Sequence, residues 1–139
     1  MISPENLSID ALYSIFSNAG GISVEKYKGV LKVRSQDSEC LVSVVQNEQV
    51  RFFMPSRATS EQNFSRGDLL EVANGLNNDL TYKSWACVTE DKDIVFHQSI
   101  PVDAELSEHT FVIALLSFIS ECILRDIDIS VSMRDTEIQ

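Results

Sequence analysis

The sequence predicts an α+β fold, an antiparallel β-sheet flanked by about three helices in the order α-β-β-β-β-α-β-β-α. Three observations carry that expectation. Apolar residues recur at helical spacing in three separate segments, and short alternating segments bounded by turn residues lie between them. No repeat, low-complexity tract or Pro/Gly-rich linker divides the 139 residues, a length that fits one domain with a sizeable core.

The first helix is expected from about Glu5 to Asn18, where Leu7, Leu12, Ile15, Phe16 and Ala19 form one apolar stripe and Gly20-Gly21 stops it. Four antiparallel strands follow: Ser23 to Lys28, Val30 to Ser35, Glu39 to Gln46 and Gln49 to Pro55. Lys28-Gly29, Gln36-Asp37-Ser38 and Gln46-Asn47-Glu48 separate them. Leu41, Val42, Val44 and Val45 point to both faces of the third strand, as a central strand requires. In the fourth, Val50, Phe52 and Met54 share one face and Arg51 lies on the other.

Arg57 to Phe64 reads as a polar loop. Ser65 and Asp68 form a capping pair for a helix over Arg66 to Asn77, whose apolar face is Leu69, Leu70, Val72, Ala73 and Leu76. A second strand pair, Lys83 to Thr89 and Ile94 to Ile100, turns at Glu90-Asp91-Lys92 and ends at Pro101. Ser107 or Asp103 then caps a final helix over Leu106 to Arg125.

That final helix is unusual. Eight of the nine residues from Phe111 to Ile119 are apolar, and polar positions fall on the narrow line Thr110, Ser117, Glu121 and Arg125. A helix lying on one sheet needs an apolar stripe about 100° wide; this one offers more and calls for burial on more than one side. A second copy of the chain is the simplest cover, with Phe111, Val112, Leu115, Leu116, Ile119 and Ile123 as the expected partner or dimer surface.

Composition excludes several classes. Met1 to Arg66 holds seven basic and seven acidic side chains, and Gly67 to Gln139 holds four and fourteen, so the whole net charge of −10 lies in the second half. A nucleic-acid partner is not expected, because phosphates would be repelled there. The apolar run Phe111–Ile119 is well short of the ~20 residues of a membrane span, and no basic-then-apolar signal opens the chain. The three cysteines, Cys40, Cys87 and Cys122, have no close spacing and read as buried free thiols of a reducing, cytoplasmic compartment.

The glycines at 20, 21, 29, 67 and 75 match neither GxGxxG nor GxxxxGK, and His97 and His109 have no ligand-type partner at metal spacing. No cofactor, metal or catalytic residue is therefore expected. Cys87 and His97 fall on strands expected to be adjacent, which makes a small Cys/His hydrolase an alternative. The favoured reading is a sheet-packed histidine and an inert thiol, since Cys87 shares a face with Trp85 and His97 with Val95. Asp126-Ile-Asp128-Ile-Ser130 begins like a calcium loop but lacks the glycine and closing glutamate, and reads as a solvated strand or fraying tail. A three-residue turn Lys28-Gly29-Val30 would put Tyr27, Leu31 and Val33 on one face and Lys26, Lys28, Lys32 and Arg34 on a charged docking face.

From about Leu7 to Ile127 the chain resembles the YbjN-like family of bacterial sensory-transduction regulators, whose fold is similar to type III secretion chaperones. The family shows Asn-x-Trp-Asn at a helix end, then a basic-aromatic stretch and a short strand; here that is Asn74-Gly-Leu-Asn77 followed by Tyr82-Lys83-Ser84-Trp85-Ala86. Leu76 stands where the family has tryptophan. The Pro101-Val102-Asp103 turn is also family-like. Asn74 and Asn77, three apart at a helix end, are suited to satisfying terminal carbonyls and to a left-handed turn.

The resemblance implies one domain over residues 1–127 with a tail over 128–139. It also implies a non-enzymatic regulatory or protein-binding module, often a homodimer, that holds a segment of a partner protein. A dedicated type III secretion chaperone for an effector is the alternative within the same architecture.

Overall fold

The computed structural model describes residues 1–60, 64–91 and 93–138, with the side chains of 60 and 132–138 excepted. The elements are α1 (Ile9–Ser17), β1 (Ser23–Tyr27), β2 (Val30–Ser35), β3 (Ser38–Val45), β4 (Gln49–Pro55), α2 (Arg57–Ser60), α3 (Arg66–Asn77), β5 (Trp85–Val88), β6 (Ile94–Pro101) and α4 (Glu108–Ile138). Six strands form an antiparallel sheet in the order β1-β2-β3-β4-β6-β5. The α+β order is the one the sequence predicts, with the short α2 added inside the expected polar loop. Residues 61–63 of that loop, and Lys92 of the expected β5–β6 turn, lie outside the described residues. Backbone packing divides the chain into two compact units, Met1–Phe53 with Gln98–Ile119, and Met54–His97 with the chain from Ser120 onward.

In the first unit, Ser8 caps α1 by accepting from the Ala11 amide (3.0 Å), so the helix starts later than the apolar stripe suggests. Leu12, Ile15 and Phe16 are its buried face. The β1–β2 connection is a two-residue turn in which Lys28 (φ 48) and Gly29 (φ 82) are both left-handed, joining the paired Tyr27 and Val30. Gln36 and Asp37 repeat the device between Ser35 and Ser38. Such turns match the right-handed twist of a hairpin, which is why two tight ones can follow each other here. Leu31, Val33, Cys40, Val42, Val50 and Phe52 are all buried, as are Phe111, Leu115 and Phe118 of α4. Phe52 and Phe118 stack with ring centroids 5.6 Å apart.

In the second unit Ser65 accepts from the Asp68 amide and caps α3, as its sequence predicts. Leu69 and Ala73 of α3, Ala86 of β5, Ile94 and Phe96 of β6 and Cys122 and Ile129 of α4 are buried. The expected strand or fraying tail at Asp126–Ser130 is instead helix, because α4 continues to Ile138. Tertiary partners hold it there. Asp126 accepts from Ser56 Oγ (2.5 Å) and the Arg57 amide (3.1 Å), Asp128 accepts from the Tyr82 hydroxyl (3.2 Å), and Ile129 is buried.

Candidate protein-binding surface

The side chains of α4 fall on two apolar lines. Phe111, Leu115, Phe118, Ile119, Cys122 and Ile129 recur at helical spacing and are buried. Ile113, Leu116, Ile123, Leu124, Ile127 and Val131 recur at the same spacing and are exposed, from 36% at Ile123 to 55% at Ile127. At 100° per residue these six lie within an arc of about 100°, roughly opposite the buried line, and span about 27 Å of helix. An exposed apolar line of that length is what a docking face looks like, since scattered single apolar residues do not align in this way.

The expected surface therefore needs correction. Phe111, Leu115 and Ile119 lie in the chain's own core and Val112 is half-buried, leaving Leu116 and Ile123 exposed. Ile113, Leu124, Ile127 and Val131 belong beside them instead. The helical phase was legible in the sequence; which of two equally apolar lines met the sheet was not.

The asparagine motif has a different job from the one expected. Asn78, after α3, keeps right-handed helical angles (φ −78), so no left-handed turn forms. Asn77 reaches the edge strand β5, where its Nδ2 donates to the Ala86 carbonyl (2.9 Å) and its Oδ1 accepts from the Ala86 amide (2.8 Å). One carboxamide thus pairs both outward-facing backbone groups of Ala86, as a neighbouring strand would, and blunts that edge. Asn74 is exposed.

The terminal carbonyl of Leu76 is served by the fully buried Arg125, whose Nη2 donates to it (3.2 Å) while the guanidinium sits 4.5 Å from the Tyr82 ring centroid. Arg125 Nε and Nη1 meet no acceptor among the described residues, and loss of hydration holds its pKa below the ordinary value. Burial, with the Asp128 carboxylate, holds the Tyr82 phenol above its own. Glu121 extends the edge protection of Asn77: its two carboxylate oxygens accept from the Lys83 (2.9 Å) and Ser84 (2.7 Å) amides. Only tertiary structure could bring Asn77 to β5 and Glu121 to the Lys83–Ser84 segment that leads into it.

Beside these groups a cleft of about 450 Å³ is lined by the carboxylates of Glu71, Asp79 and Asp128 and by apolar Val72, Leu76 and Ile129. Its acceptor-rich rim suits a cationic or hydrogen-bond-donating group and disfavours anions. Asp79 is held below the usual carboxylate range by the Thr81 hydroxyl and amide that donate to it.

The charged docking face does not assemble. Because the turn holds two residues, Tyr27 pairs Val30, and every β1 side chain lies on the opposite face from the one a three-residue turn would give it. Lys26 aligns with Leu31, contacts Asp10 (2.6 Å) and sits 4.8 Å from the Tyr13 ring centroid. Lys32 lies opposite Glu25 and 4.1 Å from the Tyr27 ring centroid, and Arg34 pairs with Glu39 (2.7 Å). Lys28 occupies the turn itself.

The thiols also divide. Cys40 and Cys122 are buried, as expected, but Cys87 is exposed, and its Sγ lies 3.1 Å from His97 Nε2. The buried, packed position expected for Cys87 is thus corrected: its face of β5 looks outward while Ala86 looks inward.

This arrangement, an antiparallel sheet with helices and a protected edge, defines an α+β scaffold whose distinctive surface is one helix face. Residues 8–123 match the YbjN family, described as "Putative bacterial sensory transduction regulator", and the chain belongs to it. Four solved chains match. One of them, "Crystal structure of YbjN, a putative transcription regulator from E. coli", is similar over 94% of each chain with a TM-score of 0.64 and 14% identity, a likeness of fold. Comparison with curated proteins finds no match. Among the described residues no helix is long and apolar enough to cross a membrane.

Proposed function

We propose that this YbjN-family chain is a non-enzymatic regulatory module of the cytoplasm that works as a homodimer and holds a segment of a partner protein. The observation that carries the reading is the second apolar line of α4, which the chain's own fold leaves uncovered at Leu116, Ile123, Leu124 and Ile127. A matching line on a second copy covers it symmetrically and buries both at once. A helix pair of this length falls near the lower end of stable interfaces, and the side chains concerned are the large aliphatic residues such contacts use. With Asn77 and Glu121 blunting β5, the other edge strand, β1, is the place for an extended partner segment to add a strand.

Sedimentation equilibrium across a concentration range tests the dimer. A dimer that dissociates in Leu124→Glu and Ile127→Glu, with secondary structure unchanged, supports the proposal; a monomer at every concentration removes it. Limited proteolysis of a partner complex then separates a chaperone, which shields an extended segment of its client, from a regulator that docks on a folded surface.

A further inference from the structure

We propose that Cys87 and His97 form a thiol-modification site on the outward face of the β5–β6 pair, one that takes small-molecule disulfides. The register sets Trp85 opposite His97 and Cys87 opposite Val95, so Cys87 and His97 are diagonal neighbours on one face of the sheet. Their Sγ–Nε2 separation of 3.1 Å is that of a nucleophile and its base. The surroundings suit an incoming reagent. Cys87 is exposed, Trp85 beside it is 54% exposed, and Val95 and His97 are half-buried, whereas Ala86, Ile94 and Phe96 on the opposite face are sealed in the core. The flat indole provides an apolar wall next to the sulfur. Cys40 and Cys122 have no such access.

The step is a thiol–disulfide exchange. His97 Nε2 accepts the Cys87 proton, the thiolate attacks one sulfur of the disulfide, a Cys87 S–S bond forms and the original S–S bond breaks. The expelled thiolate takes the proton from His97 and leaves as a free thiol. Cys87 is oxidised to the mixed disulfide while one sulfur of the reagent is reduced, and no further oxidant is consumed.

The test uses the folded full chain with 5,5′-dithiobis(2-nitrobenzoic acid), followed by release of the coloured thiol. One fast equivalent is expected, lost in Cys87→Ser, with the other two thiols reacting only in denaturant. His97→Ala slows the fast phase by about tenfold or more, the size of a lost general base. Added imidazole restores part of the rate, whereas His97→Gln, which keeps a polar side chain without a base, stays slow. Because Trp85 is the single tryptophan, its fluorescence reports both folding of each variant and arrival of the adduct at Cys87. Oxidised glutathione in place of the aromatic disulfide gives one glutathionyl adduct, located at Cys87 by mass spectrometry. Labelling of Cys87 no faster than in the denatured chain, or equally fast in the parent and both His97 variants, overturns the proposal.

Discussion

Two cysteines on two strand pairs of this molecule have opposite surroundings. Cys40 on β3 pairs Val33 on the buried face of the sheet, and loss of hydration pushes its thiol up to about 12. Cys87 on β5 faces outward and meets an imidazole. Both sit in short alternating strands of similar sequence character; the side of the sheet each faces decides the rest. The contrast extends to the strands themselves. The β1–β3 hairpins are secured by left-handed turns and strand-to-strand pairing, whereas β5, four residues long, relies on side chains from α3 and α4.

The largest expected effect sharpens the thiol comparison. Folding raises the Cys40 pKa from an ordinary 9.0 to about 12, so the native state keeps a proton that the unfolded chain releases. Its contribution is complete below about pH 9 and is lost as pH rises toward 12, with a slope of up to about 1.4 kcal/mol per pH unit. Urea unfolding at about pH 8, 10 and 12 should show this decline, about 3–4 kcal/mol across the window, and Cys40→Ala should flatten it; identical slopes in parent and variant would place the alkaline sensitivity elsewhere.

Next comes β5. Asn77→Leu leaves the Ala86 amide and carbonyl without partners and should cost about 2–4 kcal/mol, with faster hydrogen exchange at Ala86. An unchanged urea midpoint would show that the strand holds without its clamp. Glu121→Leu, which strips the acceptor from the Lys83 and Ser84 amides, should cost about 1–3 kcal/mol by the same measurement. On the hairpin side, Gly29→Ala places a side chain at φ +82 in otherwise open space, so only backbone strain opposes it, for a loss of about 1 kcal/mol in thermal unfolding. The smallest effect is at Lys26→Ala: its pair with Asp10 is exposed, and its removal should change stability by less than about 0.5 kcal/mol and leave no salt dependence behind.

Much of this molecule was legible in its sequence because it is written in local rules. Helical spacing, alternation and turn residues give the α+β order, Ser65 announces the start of α3, and the surplus apolar content of α4 signals two faces. Where one residue of turn length mattered, local rules were ambiguous: Lys28-Gly29 and Lys28-Gly29-Val30 are both reasonable loops, and the shorter one reverses β1 and disperses Lys26, Lys28, Lys32 and Arg34.

Tertiary structure alone decided the rest. It chose which apolar line of α4 entered the core, carried the helix past Arg125 by giving Asp126, Asp128 and Ile129 partners, turned Asn77 toward β5, and set His97 beside Cys87. Periodicity fixes a side chain's phase around its own element, a property of neighbours in the chain. Which phase meets another element depends on residues tens of positions away, and those are brought together only when the sheet closes.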